Sequence, residues 1–221
     1  LKNSISRKTT VNFLKQHRTF WICLMSILLG AAILFGAFAA DPAVQSWQRK
    51  HRWKNITVLS RNVTRATDWP THVIIGLALA GVAWRRRNQR WTRIFLAMIA
   101  ACALAGATAY ALKMTTGRVR PYVKVEKAWG GPTTRQNFHS FPSGHTAASF
   151  GFFAVLFFVN WRIALLCLPM PLFVAFSRFF LGAHYFSDVV GAALVGVLWA
   201  AIVAHFFLRR QIKPQTSTIK H

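Results

Sequence analysis

An all-α, polytopic membrane protein with six transmembrane helices is the fold class this sequence predicts, and three observations predict it. Apolar residues make up 54 % of the 221, and they gather into long runs. The 28 lysines and arginines stand against only 4 acidic residues, and they cluster between those runs. The runs themselves approach the twenty or so residues that an α-helix needs to cross roughly 30 Å of hydrocarbon. A net charge of +24 would by itself suit a nucleic-acid binder. A soluble module of that kind has no use for several such runs, so nucleic acid is set aside as a partner. The cations are read as contacts to anionic headgroups and to an anionic substrate.

Each element follows from a local signal. Residues 1–20 are basic, with Lys2, Arg7, Lys8, Lys15 and Arg18, and are expected on the cytoplasmic side. The first span covers 20–40. It follows a basic flank as a signal peptide would, but its long apolar run and the spans after it predict an uncleaved helix. Asp41-Pro42 is expected to end it. In 44–65, Trp47, Trp53 and Leu59 interleave with Arg49, Lys50 and Arg52, which predicts a helix lying in the interface. The second span starts at Asp68 or Trp69 and ends at Trp84, before the basic string from Arg85 to Arg93. The third, 94–112, is rich in alanine and is expected to pack inside the bundle. Residues 113–140 form a polar loop marked by Gly117, Pro121, Gly130, Gly131 and Pro132. The fourth span is 144–159, the fifth 163–180 with kinks at Pro169 and Pro171, and the sixth 189–208. The chain thus divides into a basic N-terminus (1–20), a six-helix membrane domain (21–208) and a basic tail (209–221). Cys23, Cys102 and Cys167 all fall inside apolar runs and read as small buried hydrophobes.

Six spans put both termini on one side. With the termini cytoplasmic, fifteen cations lie inside and thirteen outside. The dense short clusters at Arg85 and Arg209 favour that choice. Three polar clusters then meet at the outer surface: Lys113 with Arg118 and Arg120-Pro121; Pro142-Ser143-Gly144-His145; and Ser177-Arg178 with His184 and Asp188. Such groups beside hydrocarbon need mutual pairing or a polar ligand. Arginine offers a planar fork suited to phosphate oxygens. Gly144 would open the fourth span, where free backbone N–H groups favour an anion. His184 and Asp188 lie four apart, so a carboxylate can fix one imidazole nitrogen and leave the other free to attack. His145 is then available to protonate a leaving oxygen. The chemistry that needs these parts is phosphoryl transfer through a phosphohistidine, with water as second acceptor.

Competing readings are weaker. Two histidines and a carboxylate could hold zinc, but Lys113, Arg120 and Arg178 already make the place strongly positive, so no metal or other cofactor is expected. An anion transporter or channel would put charged or broken residues at midspan, whereas these clusters sit at span ends. Among the remaining residues, His139 and Arg118 are candidates for substrate contact. His72 and His205 read as helix-packing groups, and Asp68 and Glu126 are left open.

Lys113, six residues, Arg120-Pro121; Pro142 to His145; and Ser177-Arg178, five residues, His184, three residues, Asp188: this pattern resembles the type 2 phosphatidic acid phosphatase (PAP2) superfamily in all three of its signature motifs. The resemblance spans 21–208. It implies a metal-independent phosphatase with His184 as nucleophile, Asp188 as its orienting group and His145 as acid for the leaving group. It implies that Lys113, Arg120, Ser143, Gly144 and Arg178 hold the phosphoryl oxygens. The substrates it implies are membrane lipid phosphates: undecaprenyl diphosphate, phosphatidylglycerophosphate, phosphatidic acid or the lipid A 1-phosphate. Some relatives of this kind pass the phosphate to another lipid instead of water. The expected location is a bacterial inner membrane, with the site facing the periplasm.

Overall fold

Long helices joined by short turns follow directly from the apolar runs, and the backbone places their polar ends together. A computed structural model describes residues 2–123 and 127–208, with side chains over 20–123 and 127–207. The readings of Glu126 and of the basic tail lie outside the described residues. Eight α-helices are seen among the described residues: α1 (Lys2–Lys50), α2 (Lys54–Ala66), α3 (Trp69–Arg85), α4 (Gln89–Thr116), α5 (Gly144–Ala154), α6 (Trp161–Cys167), α7 (Pro169–Phe180) and α8 (Phe186–Leu208). Four stretches are long and apolar enough to cross a bilayer: Phe20–Lys50, Gln89–Thr116, Trp161–Phe180 and Phe186–Phe207. Between them stand α3, 17 residues long, and α5 with its 3-10 continuation Val155–Phe158.

The first expected boundary is wrong. Helix α1 runs through Asp41-Pro42 to Lys50 as one piece with Pro42 inside it. Proline removes one intrahelical bond, which tertiary contacts can offset. Here Asp41, next to the break, is buried and accepts from Ser187 N at 2.9 Å and Arg118 Nη2 at 2.7 Å. A turn signal is thus overridden by an anchor distant in sequence. Helix α2 fills the second half of the stretch read as interfacial, and it packs against α7. The expected irregularity in the fifth span falls at Leu168, a residue with helical dihedrals (φ −55°, ψ −35°) that separates α6 from α7 just before Pro169.

Helices α4, α5 and α8 form the centre. Ala101, Ala105, Ala147, Ala192 and Ala200 in their contacts are fully buried. Such small residues let helix backbones approach closely where hydrocarbon surroundings supply no hydrophobic drive. Gly196 marks the close approach of α8 to α5: a Cβ there would lie 2.6 Å from Phe150 Cβ and 2.7 Å from Ala147 O. The opposite faces are greasy, with Phe35 of α1 77 % exposed and Leu166 of α6 81 % exposed, as lipid-facing side chains are.

Helix α4 ends at Gly117, whose φ of 57° is left-handed and whose Cβ would meet Gly131 O at 1.9 Å. No other residue fits that turn. The loop beyond it folds back on itself, through Val119 N to Ala128 O and Arg120 N to Asn137 O. Ser140 N then donates to Arg118 O, which delivers the chain to the start of α5. The C-termini of α4 and α7 and the N-termini of α3, α5 and α8 come together at this one end of the bundle.

Candidate active site

His184 sits in the short link between α7 and α8 and is 2 % exposed. Its Nδ1 donates to the Ser140 carbonyl oxygen at 2.7 Å. A carbonyl can only accept, so the hydrogen resides on Nδ1 and Nε2 carries the free lone pair. Asp188 Oδ2 lies farther from Nδ1, at 3.6 Å. The tautomer is therefore set by a backbone carbonyl, where the sequence suggested the carboxylate. Burial pushes the His184 pKa down to about 4, against the pull of Asp188, so the ring is neutral at pH 7.

Asp188 occupies the first turn of α8, where a carboxylate suits the helix dipole. It reaches back to accept from Tyr185 N at 2.8 Å and takes the Ser140 hydroxyl at 2.5 Å. Its other oxygen accepts from Arg118 Nη1 at 2.6 Å. Arg118 is itself buried, and its other terminal nitrogen donates to Asp41. Its guanidinium also lies 4.1 Å from the Tyr185 ring centroid and 4.9 Å from that of Phe38. Both ends of its fork are occupied by carboxylates, so Arg118 stands behind the histidine instead of offering itself to substrate. His139, the other candidate contact, has Nε2 3.0 Å from Thr133 O and belongs to the loop's own bonding.

His145 is the second residue of α5. Its Nε2 lies 3.3 Å from Asp68 Oδ1, and its side chain is 25 % exposed. Lys113, Gly144, His145 and Asp68 line a cavity of about 400 Å³, whose apolar wall includes Trp69, Ala107 and Ala148. A Cβ on Gly144 would stand 3.3 Å from Lys113 Nζ, so glycine leaves that ammonium room. Ser143 stands at the N-cap position of α5, makes no side-chain bond to the helix N–H groups, and is fully buried; its Oγ accepts from Thr146 Oγ1 at 3.0 Å. Its backbone N–H donates to Asp188 O at 3.1 Å, which ties the α5 and α8 entries together. The first turn of α5 has N–H groups without intrahelical partners, as every helix start does.

The cations converge. Arg120 and Arg178 both act electrostatically on Lys113. Lys113 and Arg178 each act on both His145 and His184, so the two imidazoles flank one cationic centre. Arg178 Nε is buried with no hydrogen-bond partner among the described residues. A buried unpaired guanidinium nitrogen is costly unless an acceptor arrives. The cavity is lined by Lys113, Gly144 and His145, and His184 and Arg178 lie within the same electrostatic neighbourhood, so its charge suits a tetrahedral anion.

The PAP2 superfamily model matches residues 94–212, more than half of the chain. The chain belongs to the PAP2 superfamily. Among curated proteins, this PAP2 chain is 31 % identical over 110 residues to a lipid A 1-phosphatase of Rhizobium johnstonii, covering 48 % of this chain and 44 % of that one. It is 29 % identical over 127 residues to a lipid A 1-phosphatase of Porphyromonas gingivalis, covering 55 % and 26 %. The chain thus spans less than half the length of these relatives. Two solved structures share its fold, each with a TM-score of 0.57. LpxE of Aquifex aeolicus is 20 % identical, and the match covers 74 % of this chain and 93 % of that one. A transmembrane PAP2-type phosphatidylglycerolphosphate phosphatase of Bacillus subtilis is 22 % identical, with coverage of 87 % and 96 %. The all-α, multi-pass membrane architecture of the PAP2 chain agrees with both.

The residues that sequence reasoning missed in this PAP2 site are Ser140, Asp41, Ser187 and Asp68. One signal pointed at two of them: carboxylates are rare in a chain of net charge +24, and each therefore has a reason to be present.

Proposed function

We propose that this chain is a lipid phosphate phosphatase that works without a metal, through a phosphohistidine. The observation that carries the reading is the pairing of imidazoles: His184, neutral with Nε2 free, and His145 share the field of Lys113 and Arg178. The phosphate sits among Lys113, Arg120, Arg178 and the α5 entry at Ser143 and Gly144, and Arg178 Nε gains its missing acceptor. His184 Nε2 attacks phosphorus in line with the leaving oxygen. The P–O bond breaks, and His145 gives that oxygen a proton. His145 then takes a proton from water, the hydroxide attacks phosphorus, and the P–N electron pair returns to His184. Donors placed where charge develops supply most of the rate.

The apolar wall beside the cavity supports a lipid over a soluble ester. Two relatives named lipid A 1-phosphatase rank lipid A first among the candidates. The basic string at Arg85 to Arg93, at the far end of the bundle, supports a site facing the periplasm of a bacterial inner membrane. With α3 and α5 counted as crossings, the spans number six.

The test is phosphate release by the purified chain in detergent with EDTA present. The panel is lipid A, phosphatidylglycerophosphate, undecaprenyl diphosphate and phosphatidic acid, with His184→Ala as blank. Release that survives EDTA and vanishes in the blank is the expected result, with lipid A fastest. Release that needs a divalent cation, or that persists in the blank, sinks the reading. A phosphorylated lipid acceptor in place of free phosphate would make the chain a lipid-to-lipid phosphotransferase on the same chemistry.

A further inference from the structure

Asp68 looks at first like an ordinary helix cap. It precedes α3, and its Oδ1 accepts from Trp69 N at 2.8 Å. The same Oδ1 lies 3.3 Å from His145 Nε2. One turn further along, His72 of α3 places Nε2 3.2 Å from Ser149 Oγ of α5. Asp68 and His72 are four apart, as are His145 and Ser149, so the two contacts are successive rungs between parallel helices. His72 Nδ1 also sits 3.2 Å from the Asp68 carbonyl oxygen, which fixes the first rung to the second. The groups acting electrostatically on His145 are Arg178 from α7, Lys113 from α4, and Asp68 and His72 from the α3 side. Asp68 is the one carboxylate in that set. The chain has only 4 acidic residues, and this one stands at the mouth of the cavity.

We propose that Asp68 is a positioning residue for His145: its carboxylate faces Nε2, favours a proton there, and leaves Nδ1 to exchange the proton with the leaving oxygen. The inference rests on the phosphatase reading above and adds a second histidine–carboxylate pair to it. His145 enters the first step as the imidazolium, its Nδ1 proton passes to the lipid oxygen as the P–O bond breaks, the ring is left neutral with Nε2–H, and Asp68 stays ionised. In the second, Nδ1 takes a proton from the attacking water, and the imidazolium formed is balanced by Asp68.

The test separates this role from capping. Asparagine and serine cap helices about as well as aspartate, so Asp68→Asn and Asp68→Ser keep the cap and remove the charge. The full chain in detergent is assayed for kcat/KM, which covers formation of the phosphoenzyme. One substrate is dioctanoyl phosphatidic acid, whose alkoxide leaving group needs a proton. The other is p-nitrophenyl phosphate, whose phenolate does not. Both variants should lose roughly 30-fold with the lipid, part of the 10²–10⁴ that a whole general acid supplies, and under about 3-fold with the aryl ester. Thermal midpoints should match wild type. Lys113→Ala, which removes a phosphate ligand, should lose activity on both substrates alike. Equal losses on the two substrates, or no loss on either, overturn the proposal for Asp68 while leaving the phosphatase reading intact. A wild-type chain that hydrolyses neither substrate, nor any lipid of the panel, overturns both.

Discussion

The two imidazoles are held in opposite ways. His184 is 2 % exposed, clamped by a backbone carbonyl, and backed by a continuous chain of buried charge: Asp188, Arg118, Asp41. His145 is 25 % exposed and leans on a single carboxylate that is itself 50 % exposed. On the proposed chemistry the contrast is what each job demands. A nucleophile needs one tautomer and one direction, and rigid burial gives both. An acid that must also accept a proton from water needs access to water and a partner that can follow the charge. The buried side also keeps a net negative charge. With Asp41 neutralising Arg118, the net negative charge of the trio remains available to His184. An arginine paired with Asp188 alone would cancel it.

The sharpest way to break the contrast is at the nucleophile. His184→Ala should reduce phosphate release by about 10⁴-fold or more, and labelled substrate should leave no phosphoenzyme in an acid quench. Residual label on the variant would show that another residue takes the phosphate. Asp188→Asn should cost less, about 10²-fold in kcat with KM nearly unchanged. The Ser140 carbonyl still holds Nδ1 in that variant, so the tautomer survives. A fall as deep as that of His184→Ala would mean that the carboxylate, not the carbonyl, sets the ring.

The buried side should also carry more of the fold. Asp41→Asn leaves Arg118 short of one charge partner and weakens the tie from α1 to the α8 entry. Breaking a buried ion pair by removing one partner costs about 3–5 kcal/mol. A markedly lower thermal midpoint in detergent is therefore expected, against none for Asp68→Asn. Equal midpoints for the two variants would erase the distinction between a structural carboxylate and a positioning one.

The contrast also explains what the sequence made legible. His145, Arg178, His184 and Asp188 lie in short polar strings at the ends of apolar runs, and those runs placed the strings at one end of the bundle, although His184 itself precedes α8. Other parts of the site have no such signature. The Ser140 carbonyl is backbone chemistry that any residue could supply. Asp41 meets Arg118 across 77 positions, a pairing that only packing creates. The same packing carries α1 past Pro42, where local rules place a stop. Asp68 was visible as a rare carboxylate beside a helix start, but its neighbour His145 belongs to a helix that begins 76 residues later.

The smallest effect tests the burial of His184 directly. Its pKa is about 4 in the folded chain, against an ordinary 6.5 when unfolded. Between those values the unfolded chain binds a proton that the folded chain refuses, so stability falls as pH drops through 6.5 and stops falling below 4. At pH 5.5 the loss is about 1.4 kcal/mol, one unit below the unfolded value. His184→Asn has no such proton. Its thermal midpoint should therefore gain on that of wild type as the buffer is taken from pH 7.5 to 5, whatever the offset at neutral pH. Parallel midpoints across that range would mean that His184 is protonated in the folded chain like an ordinary imidazole. A fraction of the nucleophile would then be protonated near neutral pH, and burial would no longer set the two histidines apart.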